Sequence, residues 1–234
     1  MVSIDTVYQK VLMFANKEQR GYITPQEFNM FADHAQKEIF EQYFYDLNQF
    51  SRVPGNSSEY SDIIHNINEK IAVFERTDGA WAGGNISSTS GEVIYRLGTM
   101  IYDGKEIEEV QQNEILYINQ SPLTKPSLAR PVYVRRRDDF VKIYPDAPSD
   151  IALYNTNASF TYLTKPTKPS WGYVVVLGKA MYDPGNTTNF ELHAAEESEL
   201  VYKILKFAGI SMKRDDIMKA GQGLEQLQIK QEKQ

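Results

Sequence analysis

The chain has 234 residues, enough for one large domain or two small ones, and its 31 acidic and 25 basic side chains give a formal net charge of −6. It contains no cysteine, which excludes disulfides, thiolate nucleophiles and cysteine-ligated metal sites. The acidic balance argues against coating of nucleic acid through phosphate neutralisation, and no apolar run approaches the roughly 20 residues of a membrane-spanning helix.

The first elements in the chain are predicted to be helices. Apolar residues spaced about four apart predict a short helix over about 4–16, with a turn at 19–22. The sequence Thr24-Pro25-Gln26-Glu27 then has the pattern of a capping box, with proline at the first helical position. A second helix is therefore expected to begin there.

The second helix is predicted to be long and apolar on more than one face. A second aromatic line, Phe40 and Phe44, lies beside its main stripe, which suggests burial between neighbours within the chain or between subunits. The turn-forming residues 53–56 end it, and a third helix is predicted over about 59–74. The main stripe consists of Phe28, Phe31, Ala32, Ala35, Ile39, Tyr43, Leu47 and Phe50.

The middle of the chain is predicted to form strands. Short segments rich in Val, Ile and Tyr are separated by Gly, Pro, Asn and Asp, which is typical of an antiparallel sheet or sandwich. Asp103-Gly104 is a candidate type I′ hairpin turn, and the glycine-rich segment 79–84 is interpreted as a flexible loop. The predicted strands lie around 91–102, 113–119, 131–144, 158–165 and 173–177.

The last third is predicted to return to helix. Residues 192–208 carry acidic side chains early and lysines late, matching the helix dipole, and Gly209 is a natural stop. The polar tail 215–234, interrupted by Gly221 and Gly223, is predicted to be a weak helix that becomes ordered on a partner. We therefore expect an α+β protein in which residues 1–78 and 190–234 form a helical bundle. Residues 79–189 are expected to be a β-rich domain inserted into it, a central antiparallel β-sheet or β-sandwich.

Residues that could carry chemistry do not combine into a recognisable site. The three histidines, His34, His65 and His193, are too far apart in sequence for a helical zinc pair. The loop 183–191 is rich in oxygen donors but departs from the EF-hand pattern, and is better explained as a polar turn. The acidic cluster 196–199 is explained by the helix dipole. No catalytic, cofactor-binding or metal-ligating residue is predicted, and we do not expect an enzyme.

The basic run Arg135-Arg136-Arg137 precedes two aspartates. On a strand, Arg135 and Arg137 would share one face and Arg136 the other, so the run is not a one-sided phosphate strip. Ion pairing across strands or between subunits is favoured over contact with nucleic acid.

Three stretches of the chain resemble virion structural proteins of tailed bacteriophages. They are VYQKVL at 7–12, ANKEQRGYITPQEFN at 15–29 and EIFEQYFYDLNQF at 38–50. The later ELH at 191–193 and EESELV at 196–201 strengthen the likeness. The chain is most similar to the head-to-tail connector proteins, also called adaptor or ring proteins, of short-tailed phages, including the crAss-like group.

This resemblance implies a non-enzymatic ring between portal and tail, with the portal's twelve-fold symmetry and with double-stranded DNA passing through without specific binding. The expected partners are further copies of the chain, the portal and other tail proteins, and no membrane or cofactor. The location would be the virion neck, after synthesis in the host cytoplasm. Alternatives are another tail or capsid accessory protein, a nucleic-acid-binding module or a small hydrolase. The predicted interface residues are Phe40, Phe44, Tyr45, Arg135, Arg137, Leu224 and Leu227.

Overall fold

The computed structural model describes residues 1–15, 23–52, 58–88, 90–211 and 215–232, so the predicted turns at 19–22 and 53–56 lie outside the described residues. The chain divides into two compact units. One, here called the helical unit, contains Met1–Val73 and Pro166–Gln234, and the other, the barrel unit, contains Phe74–Lys165. The sequence-based division placed the two boundaries at 78 and 190.

The described residues contain seven α-helices and nine strands. In chain order they are α1 (Ile4–Ala15), α2 (Pro25–Arg52), α3 (Ser58–Ala72), β1 (Glu75–Ala82), β2 (Asn85–Ser88), β3 (Ile94–Tyr102), β4 (Lys105–Glu109), α4 (Glu114–Gln120), β5 (Val132–Arg137), β6 (Phe140–Tyr144), α5 (Pro148–Asn157), β7 (Ala158–Thr164), β8 (Tyr173–Val176), β9 (Lys179–Tyr182), α6 (Glu197–Ser211) and α7 (Asp215–Glu232). In the described part of the chain, no helix is both long and apolar enough to cross a membrane.

The predicted capping box at the start of α2 is confirmed. The backbone N–H of Glu27 donates to Thr24 Oγ1 at 3.3 Å, and the Glu27 carboxylate accepts the Thr24 N–H at 3.0 Å. These reciprocal bonds satisfy amide groups that the first helical turn leaves unpaired. Hydrogen bonds from the Thr24 side chain and backbone lower the pKa of Glu27, which keeps the cap ionised.

The core of the helical unit lies where α6 packs against α1 and α2. The stripe predicted on α2 is buried over its first half, since Phe28, Ala32, Ala35 and Ile39 are at most 1% exposed. An isolated bridge between Val2 and Phe190 ties the N-terminus to the segment before α6. The long helix is therefore held between neighbours from its own chain.

The predicted antiparallel sheet or sandwich is wrong. In the part of the chain that the structure describes, seven strands of the barrel unit close into a barrel in the order β1-β2-β6-β5-β4-β3-β7. The barrel is mixed, because β4 and β5 run parallel with Glu108 opposite Val132. Alternating residues predict strands but do not specify which strands pair, and closure of β1 on β7 leaves no open edge.

The barrel interior contains large aromatic side chains. Tyr154 of α5 is fully buried and makes edge contacts with Tyr102 at 4.9 Å and Trp81 at 6.0 Å between ring centroids. The Trp81 indole donates to the carbonyl of Val141 at 2.8 Å, which ties β1 to β6. Part of the large number of aromatic residues is thus used to fill the core of the barrel.

Two assignments in this unit are corrected. Residues 113–119 form the helix α4 instead of a strand, because the Asn113 side chain caps its first amide and Ile115 and Ile118 lie one turn apart on its packed side. Segment 79–84 is not a loop. It is the end of β1 followed by a turn, in which Gly83 and Gly84 have φ of 60° and 105°. The Asp103-Gly104 hairpin turn is confirmed, with φ of 50° and 74°.

The last two helices differ from the prediction at their ends. The α6 helix begins at Glu197, five residues later than expected, because a 3₁₀ turn at Ala194–Glu196 precedes it and His193 Nδ1 accepts the Ala195 N–H. The tail forms the helix α7, which packs along α6. At Gly221 a Cβ atom would lie 3.0 Å from the Lys206 nitrogen, so glycine permits the close approach of the two helices.

Candidate interaction surface

A two-stranded antiparallel hairpin of the helical unit, residues 173–182, carries an unusually apolar exposed surface. We call it the apolar arm. Strand β8 was predicted from the sequence, but its partner β9 was not, and the two pair from Tyr173 opposite Tyr182 to Val176 opposite Lys179. The exposed apolar residues of the arm are Val174, Val175, Val176, Leu177, Met181 and Tyr182.

Leu177 lies at the tip of the arm and is 98% exposed. Leu177 and Gly178 have φ of 51° and 77°, as in a two-residue type I′ turn. A leucine in the left-handed region costs about 1–2 kcal/mol, and asparagine is the residue normally favoured there. Neither packing nor backbone preference within the chain accounts for leucine at this position. Strain of this kind is characteristic of residues that act in binding.

The base of the arm is firmly anchored. Trp171, 5% exposed, stacks on Tyr173 at 5.9 Å and on Tyr182 at 5.7 Å between ring centroids. Its indole N–H donates to Asp5 Oδ1 at 2.9 Å and its backbone N–H donates to Asn29 Oδ1 at 2.8 Å. The arm is thereby fixed to α1 and α2 while its tip extends into solvent.

The polar segment after the arm is a hydrogen-bonded turn. Asp183 accepts the Gly185 N–H at 3.0 Å and the Asn186 side-chain amide at 2.7 Å, and its carbonyl accepts the Thr187 hydroxyl. Its donors and acceptors satisfy one another, as the polar-turn interpretation of 183–191 predicts. Among the described residues there is no group of three or more His, Asp or Glu side chains that could hold a metal ion.

A cleft of about 450 Å³ lies between α2, α3 and the turn before α6 in the helical unit. We call it the α2–α3 cleft. Its accessible apolar wall is formed by the half-buried Phe50 and Ile63, with the buried Ile39, Tyr43 and Ile67 behind them. Carboxylates also line it, and the most exposed is Glu69, whose side chain is 64% exposed and lies 3.5 Å from His65. The cleft therefore combines an apolar wall with an acidic rim.

The acidic cluster at the start of α6 forms ion pairs with lysines of three different helices. Glu196, fully buried, forms an ion pair with Lys70 of α3 at 2.6 Å, and Glu197 pairs with Lys10 of α1. Glu199 lies 3.5 Å from Lys203 one turn along α6. The cluster thus links the helices around α6.

Lys203 is the centre of a buried charge cluster that joins α2, α6 and α7. Its ammonium lies 2.8 Å from Glu225 and 3.0 Å from Glu38. Burial alone would lower the pKa of Lys203, but hydrogen bonds to these two carboxylates outweigh it and the pKa is raised. Burial likewise opposes ionisation of Glu225, yet Lys203 and Lys206 hold its pKa below the ordinary value. Both groups remain charged at neutral pH.

The predicted interface residues on α2 fall into different environments. Phe40 is 2% exposed and packs edge-on against the half-buried Phe44 at 5.1 Å, so its surface is used within the chain. Tyr45 is 68% exposed. Of these three residues, Tyr45 is the one that presents a large surface to a partner.

The other predicted interface residues do not come together in one place. Leu224 and Leu227 on α7 are exposed. Arg135 and Arg137 belong to the barrel unit, where they lie 3.8 Å from Asp138 and Asp139 respectively, and Arg137 also stacks over Phe140. Sequence reasoning missed the apolar arm as a site, although the repeated Val followed by Leu-Gly and by Met-Tyr was a signal of an apolar hairpin.

Comparison with protein-family models gives no match, and comparison with curated proteins gives none either.

Proposed function

We propose that the chain is a virion structural protein of a short-tailed phage. In this role it forms an oligomeric ring in the neck that connects portal to tail and surrounds the DNA passage. The observation that carries the proposal is the apolar arm, whose tip leucine is 98% exposed in a left-handed conformation. A surface of this kind is characteristic of an assembly contact.

The position of the resembling segments supports the same role. The stretches at 7–12, 38–50 and 196–201 contribute to α1, α2 and α6, which pack together in the helical unit. The arm is anchored on two of these helices through Asp5 and Asn29. The stretches that resemble connector proteins thus belong to the same compact unit as the apolar arm, and two of their helices anchor it.

The surroundings of the basic run favour passage of DNA over binding. Arg135 and Arg137 each have an aspartate within 4 Å, so their charge is partly neutralised. The net charge of −6 works against attraction of a phosphate backbone. A protein that surrounds moving DNA is expected to bind it weakly. The nucleic-acid-binding alternative rested on the basic run 135–137, and the neighbouring aspartates weaken it.

Cryo-microscopy of the intact particle tests the proposal. We expect a ring of copies of this chain around the tail axis, directly between portal and tail. A second assay measures binding of the purified full-length chain to purified portal, and retention is expected. Location on the capsid surface, or absence from the particle, would overturn the proposal and favour an accessory role or a different class of protein.

A further inference from the structure

The helical unit carries one projecting apolar surface and one concave surface with an apolar wall. One is the apolar arm, which projects a narrow apolar tip. The other is the α2–α3 cleft, whose volume of about 450 Å³ falls within the range of clefts that enclose a ligand, ~300–1,000 Å³. The tip is an apolar projection, and the cleft is a concavity with an apolar wall and an acidic rim.

The charges of the two surfaces are also complementary. Lys179, directly after the tip, is the one charged residue in the sequence of the arm, and it is exposed. The cleft is lined by three carboxylates, Asp46, Glu69 and Glu199, against one ammonium. That ammonium, on Lys70, is paired with the buried Glu196, and Glu199 is paired with Lys203. Glu69, beside His65, is the most exposed of the three carboxylates, whereas Asp46 is half-buried, so Glu69 is best placed to receive Lys179.

The arm does not fill the cleft of its own chain, because Leu177 is 98% exposed. Every additional copy of the chain presents the same cleft. A contact between two different surfaces of identical copies is heterologous. Each copy then inserts its arm into the cleft of one neighbour and accommodates the arm of the other neighbour in its own cleft. Contacts of this type close into rings when the rotation between copies allows it.

We propose that the tip of the apolar arm, centred on Leu177, inserts into the α2–α3 cleft of a second copy of this chain, with Lys179 meeting Glu69 at the rim. This inference rests on the proposed ring function and names the contact that builds the ring. The strained leucine at the tip is then an anchor that becomes buried on assembly. The cleft buries it against Phe50 and Ile63, the half-buried large apolar residues of its lining.

Cross-linking of single-cysteine variants tests the contact directly, because the natural chain has no cysteine. Full-length Leu177→Cys and Asn66→Cys proteins are mixed and oxidised, since Asn66 is an exposed residue of the cleft. We expect the mixed disulfide between the two variants to form faster and in higher yield than the symmetric disulfides of either variant alone. Ser149→Cys, at an exposed site in the barrel unit, replaces Asn66→Cys as the control, and its mixed disulfide should not exceed that symmetric background.

Sedimentation of charge variants measures self-association and tests whether Lys179 meets Glu69. Lys179→Glu and Glu69→Lys should each weaken self-association about three-fold, and the double variant should restore it. Leu177→Asp should weaken it by ~30-fold or more, since a central apolar anchor is lost. Leu123→Asp is the matched control, because Leu123 is 96% exposed but lies in the barrel unit, and it should behave as the unmodified chain does.

The outcomes separate this inference from the proposed function. A stable oligomer without the specific cross-link, or one insensitive to Leu177→Asp, would overturn the arm-in-cleft contact and leave the ring function intact. A chain that stays monomeric at high micromolar concentration would also overturn the contact. The ring function itself is tested separately, by the position of the chain in the particle.

Discussion

The ammonium of Lys203 lies 2.8 Å from Oε1 of Glu225, and both side chains are buried between α6 and α7. Glu38 of α2 completes the cluster at 3.0 Å. The polar helix α7, which the sequence predicts to be weak in isolation, is thus held against α6 by ion pairs between Glu225 and two lysines. This pairing also explains why lysine is found inside the helical core.

Removal of the central cation should be strongly destabilising. Lys203→Met leaves Glu199 and Glu225 buried without their main counter-charge, and we expect a loss of about 3 kcal/mol in the free energy of unfolding. Urea unfolding followed by circular dichroism measures it. Lys10→Met removes an exposed ion pair with Glu197 and should cost less than about 1 kcal/mol. Equal losses in the two variants would contradict a special role for the buried cluster.

The contribution of Glu225 should depend on pH in a defined direction. Its pKa is lowered from the ordinary 4.5 in the folded state, so the unfolded chain takes up the proton first as the pH falls. The ion pair therefore stabilises fully above about pH 4.5, and its contribution is lost as the pH falls through the lower folded-state pKa.

We expect Glu225→Gln to cost about 1–2 kcal/mol at neutral pH and progressively less in acid. Urea unfolding of both proteins at neutral and acidic pH measures the difference between them, which cancels the other carboxylates. A cost that stays constant across this range would show that folding does not change the pKa of Glu225, which would contradict the ion pair.

The two glycines of α7 should respond in opposite ways to alanine. A Cβ at Gly221 would meet backbone atoms of Lys206 and Tyr202 at 3.0–3.1 Å, whereas nothing lies within 4 Å of one at Gly223. Gly223→Ala should stabilise by about 0.5–1 kcal/mol through helix propensity. Gly221→Ala should destabilise by about 1 kcal/mol despite the same gain. Thermal unfolding tests the pair, and similar stabilisation by both would mean that α7 does not pack closely on α6.

The arm tip should show a conflict between stability and assembly. Leu177→Asn creates the Asn-Gly pair that a type I′ turn prefers, so the free energy of unfolding of the monomer should rise by about 1 kcal/mol. The same change removes the apolar tip and should weaken self-association. Chemical unfolding and sedimentation of one preparation measure both. A variant that is stabilised but associates normally would show that the leucine is not an anchor.

In the barrel unit, the hydroxyl of Tyr154 is buried without a hydrogen-bond partner among the described residues. Burial, with Asp150 nearby, also raises the pKa of this phenol, so it stays neutral. Tyr154→Phe should leave stability unchanged or raise it by about 1 kcal/mol, because a desolvated polar group is removed. Trp81→Phe is the contrasting variant. It breaks the bond to the Val141 carbonyl and should destabilise by about 1–3 kcal/mol.

Local signals in the sequence predicted local structure well. The capping box at Thr24 and the Asp103-Gly104 turn depend on contacts within a few residues, and both are confirmed. The Ile, Leu and Tyr residues of 113–119 were misleading, because they fit a helix equally well. The decisive feature is the single capping residue Asn113, which composition does not reveal. Short apolar runs do not distinguish the two states.

The sequence by itself determined where most of the helices and several strands lie, and that cysteine chemistry is absent. Only the tertiary structure decided that β1 closes on β7, that α7 docks through Lys203, and that Phe40 is buried while Leu177 is exposed. Periodicity records which side of an element is apolar, whereas strand pairing and the partner of each apolar face depend on contacts between residues far apart in the chain.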